Sequence, residues 1–232
     1  MQVPVYIVNR DRLTCTKKLI DWLLAAGTER IVILDNDSTY PPCLDYYQQL
    51  PAGVELQLIG RNGGPWIFWE LKMWTTISTP YIVTDSDLVP ADVCPKNLVE
   101  KLQELFPQFP KRSKIGPGIR IDNIPDVLPF KKSVVDAQAH YWQDRLSPEC
   151  FSAPIDTTFA LYRAGSEWAD SMPHTGVRLD NPYVVEHWPW YSWPLTEEDK
   201  WYCGRAMPGL SNFIGYVEEA LNNGVLQNSK EM

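Results

Sequence analysis

The stretch that decides the fold is residues 81–87, Tyr81-Ile82-Val83-Thr84-Asp85-Ser86-Asp87, in which a strand-like run leads directly into two carboxylates. An apolar run of this kind is typical of a parallel strand that is covered on both faces. The same pattern occurs earlier, where Ile31-Val32-Ile33-Leu34 is followed by Asp35-Asn36-Asp37. Two buried strands that each end in an Asp-x-Asp triplet predict a sheet whose polar groups lie at the carboxyl ends of its strands.

Strands and helices alternate through the first half of the chain. Buried strands are predicted at 4–8, 31–34, 54–59 and 81–84, and helices at about 12–26, 43–50, 65–77 and 95–106. This βαβαβαβα order predicts a doubly wound α/β sheet with right-handed crossovers, which binds its ligand beyond the carboxyl ends of the strands. Polar clusters follow the strands as Asn9-Arg10-Asp11-Arg12, Asp35-Asn36-Asp37, Arg61-Asn62-Gly63-Gly64 and Asp85-Ser86-Asp87. We therefore expect four strand ends to share one crevice.

The second half of the chain is less regular. Strands are predicted at 114–121 and 157–162, a helix at 133–145, and closing helices at 197–206 and 212–222. Between them, residues 182–194 are crowded with Trp, Tyr and Pro. No repeat, low-complexity tract or linker divides the halves, so we expect a single sheet-centred domain over residues 1–232.

Composition excludes several classes of protein. The chain has 21 Lys and Arg against 29 Asp and Glu, a net charge of −8 that argues against a nucleic-acid binder. It contains no apolar run of 18 residues, so no integral membrane segment is expected, and its first residues lead into a strand rather than a signal peptide. The five cysteines form no Cys-x-x-Cys pair, which favours reduced thiols in a cytoplasmic protein. The oligomeric state stays open.

Asp85 and Asp87 are the best candidates for binding a divalent cation. Hard cations prefer oxygen ligands, and Mg²⁺ typically takes one or two carboxylates together with phosphates of a substrate. A rigid strand end at a ligand crevice suits that task, although the same carboxylates could instead cap the turn that follows. The same alternative applies to Asp35 and Asp37.

Taken in order, these segments resemble nucleotide-sugar glycosyltransferases of the GT-A fold, closest in style to the family 2-like enzymes. The resemblance is carried by residues 5–10, 34–38, 62–64, 84–87 and 187–190, and it extends over about residues 3–191. It implies a Rossmann-like mixed, mostly parallel sheet flanked by helices. It also implies a nucleotide-binding half at 1–110 and an acceptor-binding half at 111–232, which includes the closing helices.

The resemblance implies which residues bind the donor. Positions that hold the base and ribose in that family correspond to Asn9, Arg10 and Asp35, and those that hold the metal and diphosphate correspond to Asp85, Asp87 and His187. The full predicted donor site is Asn9, Arg10, Arg12, Asp35, Asn36, Asn62, Gly63, Gly64, Asp85, Ser86 and Asp87. The implied cofactor is Mn²⁺ or Mg²⁺, and the implied donor carries UDP or GDP.

Transfer with inversion needs a carboxylate that accepts the proton of the acceptor hydroxyl. Asp156, just before a predicted strand, is the best candidate, with Asp136 and Glu186 as alternatives. The proline-interrupted aromatics Trp188, Trp190 and Tyr191 suit stacking on a sugar of a glycan-type acceptor, because Trp and Tyr join a flat apolar body to a polar group. The earlier group at 66–74 has helical spacing and is predicted to lie in the core.

Two other functions are compatible with parts of the sequence. Residues 31–39 resemble the nucleophile motif of haloacid-dehalogenase-like phosphatases, with Asp35 as nucleophile, but the motif follows the second strand and no later Gly-Asp-x-x-x-Asp appears. A non-enzymatic carbohydrate-binding module would explain the aromatics but not the four polar strand ends. The absence of Gly-x-Gly-x-x-Gly after the first strand disfavours a Rossmann dehydrogenase.

Overall fold

The computed structural model describes residues 2–155, 158–167, 176–205 and 212–222. Its first four strands are β1 (Val5–Asn9), β2 (Ile31–Asp35), β3 (Val54–Leu58) and β4 (Tyr81–Asp85). They pair in the order β3-β2-β1-β4, and all three pairs are parallel. The predicted doubly wound arrangement of the first half is therefore confirmed.

The core lies on both faces of this sheet. Val5, Ile7, Ile31, Ile33 and Ile82 belong to one buried cluster. The alternate strand residues belong to a second cluster on the other face of the sheet, and they are Tyr6, Val8, Val32, Leu34 and Val83. Successive side chains of a strand point to opposite faces, so a strand that is covered on both sides must be apolar throughout. This explains the continuous apolar runs in the sequence.

Helices cover the sheet as the alternation predicts, with one exception. The helices of the first half are α1 (Thr14–Ala25), α2 (Pro41–Tyr47), α3 (Ile67–Glu70) and α4 (Leu98–Leu105), and 3-10 turns follow at Met73–Thr76 and Phe106–Gln108. The C-terminal cap of α1 extends to Gly27, whose φ of +81° allows its amide to donate to the Leu24 carbonyl and the next amide to donate to the Leu23 carbonyl.

The single helix predicted over 65–77 is wrong. α3 has four residues, and Lys72 adopts a left-handed φ of 52° between α3 and the 3-10 turn. The segment instead buries aromatic rings against the sheet: Phe68 lies 5.0 Å from Tyr6, and Trp69 lies 4.9 Å from Tyr162, between ring centroids. Phe68 and Trp69 therefore occupy the core, as their spacing predicted, but without a long helix.

The second half extends the large sheet and adds a small one. The further strands are β5 (Leu88–Pro90), β6 (Lys114–Gly116), β7 (Gly118–Ile119), β8 (Arg145–Ser147), β9 (Cys150–Ser152), β10 (Ala160–Tyr162), β11 (Gly176–Leu179) and β12 (Val184–His187). Among the described residues, the large sheet runs β3-β2-β1-β4-β10-β6-β11-β9-β8, and β10 is antiparallel to β4. The sheet is mixed, as expected, but it is not mostly parallel, because four of its described strand pairs are parallel and four are antiparallel.

The small sheet has the order β5-β12-β7. The strand predicted over 114–121 is divided between the two sheets, because the chain leaves the large sheet after Gly116 and enters the small one at Gly118. β5 begins directly after Asp87, and its antiparallel pairing with β12 places His187 opposite Leu88. The small sheet therefore brings a distant histidine to the end of β4.

The remaining helices are α5 (Lys131–Ala139), α6 (Glu197–Cys203) and α7 (Asn212–Asn222), with 3-10 turns at His140–Trp142 and Trp188–Trp190. The closing helices fall where the sequence predicted them, and the helix predicted over 133–145 ends as a 3-10 turn. Along the described stretches of the chain, every helix is too short or too polar to cross a lipid bilayer.

Candidate active site at the carboxyl ends of the strands

The predicted donor residues of β1, β2 and β4 meet at one edge of the large sheet. Asn9 lies opposite Asp35 in the β1–β2 register, and Val8 lies opposite Asp85 in the β1–β4 register. The Ser86 amide donates to the Val8 carbonyl at 3.1 Å, which continues the pairing one residue past β4. Because parallel strands end together, the local sequence after each strand contributes to one crevice.

Asp87 and His187 form a partly exposed polar pair at this edge. Asp87 Oδ2 lies 3.4 Å from His187 Nε2, and the two side chains are 21% and 19% exposed. The Trp188 amide donates to the Asp87 carbonyl at 2.8 Å, so both the backbone and the strand register fix this approach. The His187 ring also packs against Trp190, with 4.6 Å between the ring centroids.

Electrostatics keep Asp87 ionised. Burial by itself would raise the pKa of Asp87, but the charge and hydrogen bond of His187 and the charge of Arg12 outweigh burial and lower the pKa below its usual value. His187 Nδ1 is buried and has no hydrogen-bond partner within the described part of the chain. A carboxylate suits either Mn²⁺ or Mg²⁺, whereas an imidazole nitrogen suits a transition metal such as Mn²⁺ better than Mg²⁺.

The residues fit a cation that is shared with a substrate better than one that the protein encloses. Across residues 2–155, 158–167, 176–205 and 212–222, no group of three or more His, Cys, Asp and Glu side chains is arranged to hold a metal ion. Asp87 and His187 would supply two ligands and leave the other positions to phosphate oxygens and water, as is common for Mg²⁺. Asp85 is half-buried at the end of β4, and Ser86 is buried.

Asn9 and Asp35 lie beneath the crevice in a buried hydrogen-bond network. Asn9 Nδ2 donates to the Tyr47 hydroxyl at 2.7 Å, and that hydroxyl donates to Asp35 Oδ1 at 2.8 Å. Asp35 Oδ2 accepts from the Ser38 amide at 3.1 Å, and Asn9 Oδ1 accepts from Thr16. Both oxygens of Asp35 therefore have partners, and only 3% of the residue is exposed.

Asn36 joins the end of β2 to the glycine loop after β3. Its side-chain oxygen accepts from the Gly63 amide at 2.8 Å, and its amide nitrogen donates to the Gly64 carbonyl at 2.9 Å. Asn62 accepts from the Gly64 amide at 3.0 Å, which closes a tight turn, and Gly64 has a φ of +72° that favours glycine. The predicted residues 36 and 62–64 thus form one connected wall.

The two arginines after β1 are held by α6 and by the residues that follow it directly. Arg10 Nη1 donates to the Arg205 carbonyl at 2.7 Å, and Arg12 Nη1 lies 2.5 Å from Asp199 Oδ1. The sequence predicts a helix over 197–206 but does not predict that this helix contacts the site. The Thr-x-x-Asp spacing of Thr196 and Asp199 signalled a helix cap, which the structure shows as a reciprocal capping box, but no local pattern indicated the pairing with Arg12.

The predicted acceptor residues follow β12. Lys18 Nζ lies 4.6 Å from the Trp188 ring centroid, Trp190 is buried, and the Tyr191 hydroxyl donates to Asn123 Oδ1 at 2.7 Å. Of the candidate bases, Asp156 lies outside the described residues. Asp136 is exposed and pairs with Lys132 on α5. Glu186 accepts from Asn123 at 2.8 Å.

Comparison with solved structures gives similar folds at low identity. The mannosyltransferase PcManGT from Pyrobaculum calidifontis, in complex with GDP-Man and Mn²⁺, has a TM-score of 0.51 and 13% identity, covering 88% of this chain and 60% of that one. TarS of S. aureus, residues 1–349, has a TM-score of 0.49 and 14% identity, covering 82% and 61%. Glucosyl-3-phosphoglycerate synthase from Mycobacterium tuberculosis, with Mn²⁺ and uridine-diphosphate-glucose, has a TM-score of 0.41 and 13% identity, covering 70% and 56%.

No protein-family model matches the sequence, and comparison with curated proteins also gives no match. This chain spans 60% of the length of the mannosyltransferase, whose architecture it shares over 88% of its own length. That likeness, together with the parallel β3-β2-β1-β4 order and the antiparallel strand beside β4, establishes the fold. The chain has the GT-A fold of nucleotide-sugar glycosyltransferases.

Proposed function

We propose that this chain is a metal-dependent glycosyltransferase that moves a sugar from a nucleoside-diphosphate sugar to a hydroxyl group. The observation that carries the proposal is the approach of Asp87 Oδ2 to His187 Nε2, 3.4 Å apart and partly exposed, at the strand ends of a GT-A fold. Asp87 and His187 would hold Mn²⁺ or Mg²⁺, with Asp85 beside them at the end of β4. The structural neighbour PcManGT, whose structure is a complex with GDP-Man and Mn²⁺, supports this choice of cofactor and donor class.

The proposed reaction breaks the bond between the sugar and the diphosphate. Negative charge then develops on the leaving phosphate, and a bound divalent cation supplies Lewis-acid stabilisation of that charge. Arg12 adds a fixed positive charge near Asp87, whose carboxylate it also helps to keep ionised. Fixed charges of this kind lower the barrier because they need no reorganisation as the reaction proceeds.

We propose that the nucleoside lies over the ends of β1, β2 and β3. Asn36, Asn62, Gly63 and Gly64 would form its wall, because they are already linked to one another by hydrogen bonds. Asn9 and Asp35 support that pocket from below through Tyr47, and Arg10 borders it. This assignment leaves UDP and GDP as alternative donors.

For the acceptor side, we propose Asp156 as the base that takes the proton of the acceptor hydroxyl, which would give inversion. Trp188, Trp190 and Tyr191 are proposed to border the acceptor, a glycan or glycoconjugate, because they follow His187 directly in the chain. We retain the cytoplasm as the proposed compartment, because all five cysteines are free thiols and four of them are buried.

The test is ligand-dependent thermal stabilisation. Mn²⁺ together with UDP or GDP at about a hundred times its dissociation constant should stabilise the protein by about 2.7 kcal/mol. For a chain of this size that corresponds to a rise in melting temperature of about 5–10 °C. Asp87→Asn should abolish the metal-dependent part of the rise. Asp37→Asn is the matched control, since Asp37 ends the other Asp-x-Asp triplet and is exposed.

The proposal is wrong if neither nucleotide raises the melting temperature at millimolar concentration with either metal. The phosphatase alternative predicts hydrolysis of an aryl phosphate that Asp35→Asn abolishes. The buried, doubly hydrogen-bonded carboxylate of Asp35 disfavours it, because a nucleophile needs an accessible oxygen. A carbohydrate-binding module would bind glycans without metal or nucleotide.

A further inference from the structure

We infer that Asp199, on the closing helix α6, is a positioning residue of the donor site that holds Arg12 for contact with the diphosphate. The inference rests on the proposed function, since it requires a diphosphate beside Asp87. Asp199 lies on α6, whereas the donor residues predicted from the sequence all lie at or after the ends of strands.

The Arg12–Asp199 pair is buried and fixed from the α6 side. Arg12 Nη1 lies 2.5 Å from Asp199 Oδ1, and the side chains are 5% and 3% exposed. The other carboxylate oxygen of Asp199 accepts from the Thr196 amide at 2.9 Å and from the Thr196 hydroxyl at 2.6 Å. Because both oxygens are engaged, Asp199 can hold Arg12 in one place but is poorly suited to accept a proton from a substrate.

Arg12 retains donors that lack an acceptor. Its Nε and Nη2 atoms are buried and have no hydrogen-bond partner among the described residues. The guanidinium carbon lies 3.9 Å from the centroid of the Tyr202 ring, so α6 contacts Arg12 through an aromatic face as well as a carboxylate. Buried polar groups normally have partners, and leaving a charged donor without one is costly. The arrangement therefore points to an acceptor that arrives with a ligand.

The position of Arg12 identifies the class of that ligand. Arg12 lies two residues before the start of α1, which packs against β5, the strand that begins directly after Asp87. α1 also reaches the residue that follows His187, because Lys18 Nζ lies 4.6 Å from the centroid of the Trp188 ring. An anionic diphosphate bound at Asp87 and His187 would offer oxygens to the planar guanidinium, which suits phosphate geometry.

Glu198 provides a matched control on the same helix. Its carboxylate accepts from the amides of Leu13 and Thr14 and from the Thr14 hydroxyl, at 2.9 to 3.2 Å. It therefore anchors α6 to the start of α1, and among the described residues its hydrogen bonds go to Leu13 and Thr14 rather than to Arg12. Glu198→Gln reports the effect of loosening α6, and Asp199→Asn reports that effect together with the loss of the Arg12 contact.

The experiment is calorimetric titration with Mn²⁺–pyrophosphate and with Mn²⁺–UDP and Mn²⁺–GDP. Asp199→Asn should weaken the binding of pyrophosphate and of the better nucleotide by about tenfold or more, as expected when a charge-assisted hydrogen bond is lost. Glu198→Gln should change both affinities by less than about twofold while it lowers the melting temperature without ligand. In an Arg12→Gln background, Asp199→Asn should cause no further loss of affinity, because it acts through Arg12.

Removing one charge of a buried pair can prevent folding, so the double variant Arg12→Gln, Asp199→Asn is essential: it leaves no unpaired charge. If the double variant folds and binds Mn²⁺–pyrophosphate as tightly as the wild type, the inference is wrong. Equal losses of affinity in Asp199→Asn and Glu198→Gln also overturn it and leave the proposed function intact. Absence of binding by the wild type overturns both.

Discussion

The two Asp-x-Asp triplets look alike in the sequence but differ in the structure. Both follow a buried parallel strand, and both meet at the same edge of the sheet. Asp35 is 3% exposed, with both oxygens engaged by Tyr47 and Ser38, whereas Asp87 is 21% exposed and faces His187. The carboxylate of Asp35 is therefore part of a buried hydrogen-bond network, whereas that of Asp87 is partly exposed at the crevice.

The segment that follows each triplet explains the difference. After Asp35 the chain turns back through Asp37, whose φ is 66°, and α2 brings Tyr47 onto the carboxylate. After Asp87 the chain continues as β5, which pairs with β12 and brings His187 alongside without covering Asp87. An Asp-x-Asp triplet is therefore informative about binding only when its later neighbours are known.

The largest expected effect is on the rate of donor hydrolysis, which should fall in a variant of the second Asp-x-Asp triplet but not in a variant of the first. Asp87→Asn should lower the rate at which the donor sugar nucleotide is hydrolysed by about a hundredfold or more, since fixed electrostatic stabilisation of the leaving group is lost. Asp37→Asn should leave the rate within about twofold. Measurement of released nucleoside diphosphate with Mn²⁺ decides the matter, and equal losses in the two variants would contradict the comparison.

A second expected effect concerns stability. Asp35→Ala should lower the free energy of unfolding by about 3 kcal/mol, because the Tyr47 hydroxyl and the Ser38 amide lose their buried acceptor. Urea denaturation measures the change. Asp37→Asn, at an exposed position, should change it by less than about 0.5 kcal/mol. A small effect of Asp35→Ala would mean that Asp35 is available to a ligand instead.

Tyr47→Phe should have a smaller effect on the same quantity. It removes the hydroxyl between Asn9 and Asp35 but keeps the ring, so the expected loss is about 1–1.5 kcal/mol. Its metal-dependent nucleotide stabilisation should match that of the wild type, measured as the shift in melting temperature. A loss of that shift would place the network in direct contact with the nucleotide.

The smallest expected effect concerns the reactivity of two thiols: Cys43 lies near the first Asp-x-Asp triplet, and Cys94 follows the second. Burial raises the pKa of Cys43, beside Asn9, to about 11, and that of Cys94, after β5, to about 12. At pH 8 the thiolate fractions are therefore only about 0.1% and 0.01%, and iodoacetamide should label the native protein slowly at both sites. Asp35→Ala should raise labelling of Cys43 a few-fold and leave Cys94 unchanged, as read by mass spectrometry. An equal rise at both would show that the two regions open together.

Much of the fold could be predicted because its signals are local. The apolar runs of β1, β2 and β4 follow from coverage on both faces, and Gly27 marks the end of α1 through its positive φ. The helix predicted over 65–77 was wrong because aromatic packing against the sheet outweighed helical spacing there. The strand over 114–121 was divided because neighbouring strands, not the segment itself, decide which sheet each part joins.

The candidate site could be predicted only in part. The position of Asp87 at a strand end follows from the sequence, and so does that of Asn36 next to a glycine loop. The proximity of His187 depends on the pairing of β5 with β12, and the burial of Asp35 depends on the side chain of Tyr47. Each of these contacts joins residues that no local pattern connects.

By itself, the sequence determined the order of strands and helices and the placing of polar groups at the strand ends, because these depend on periodicity within single segments. Only the tertiary structure decided which carboxylate stays open to a ligand and which groups surround it. Asp199 reaches Arg12 across 187 positions of the chain. Contacts over such separations are fixed by the packing of whole elements, and a single sequence carries no local signal for them.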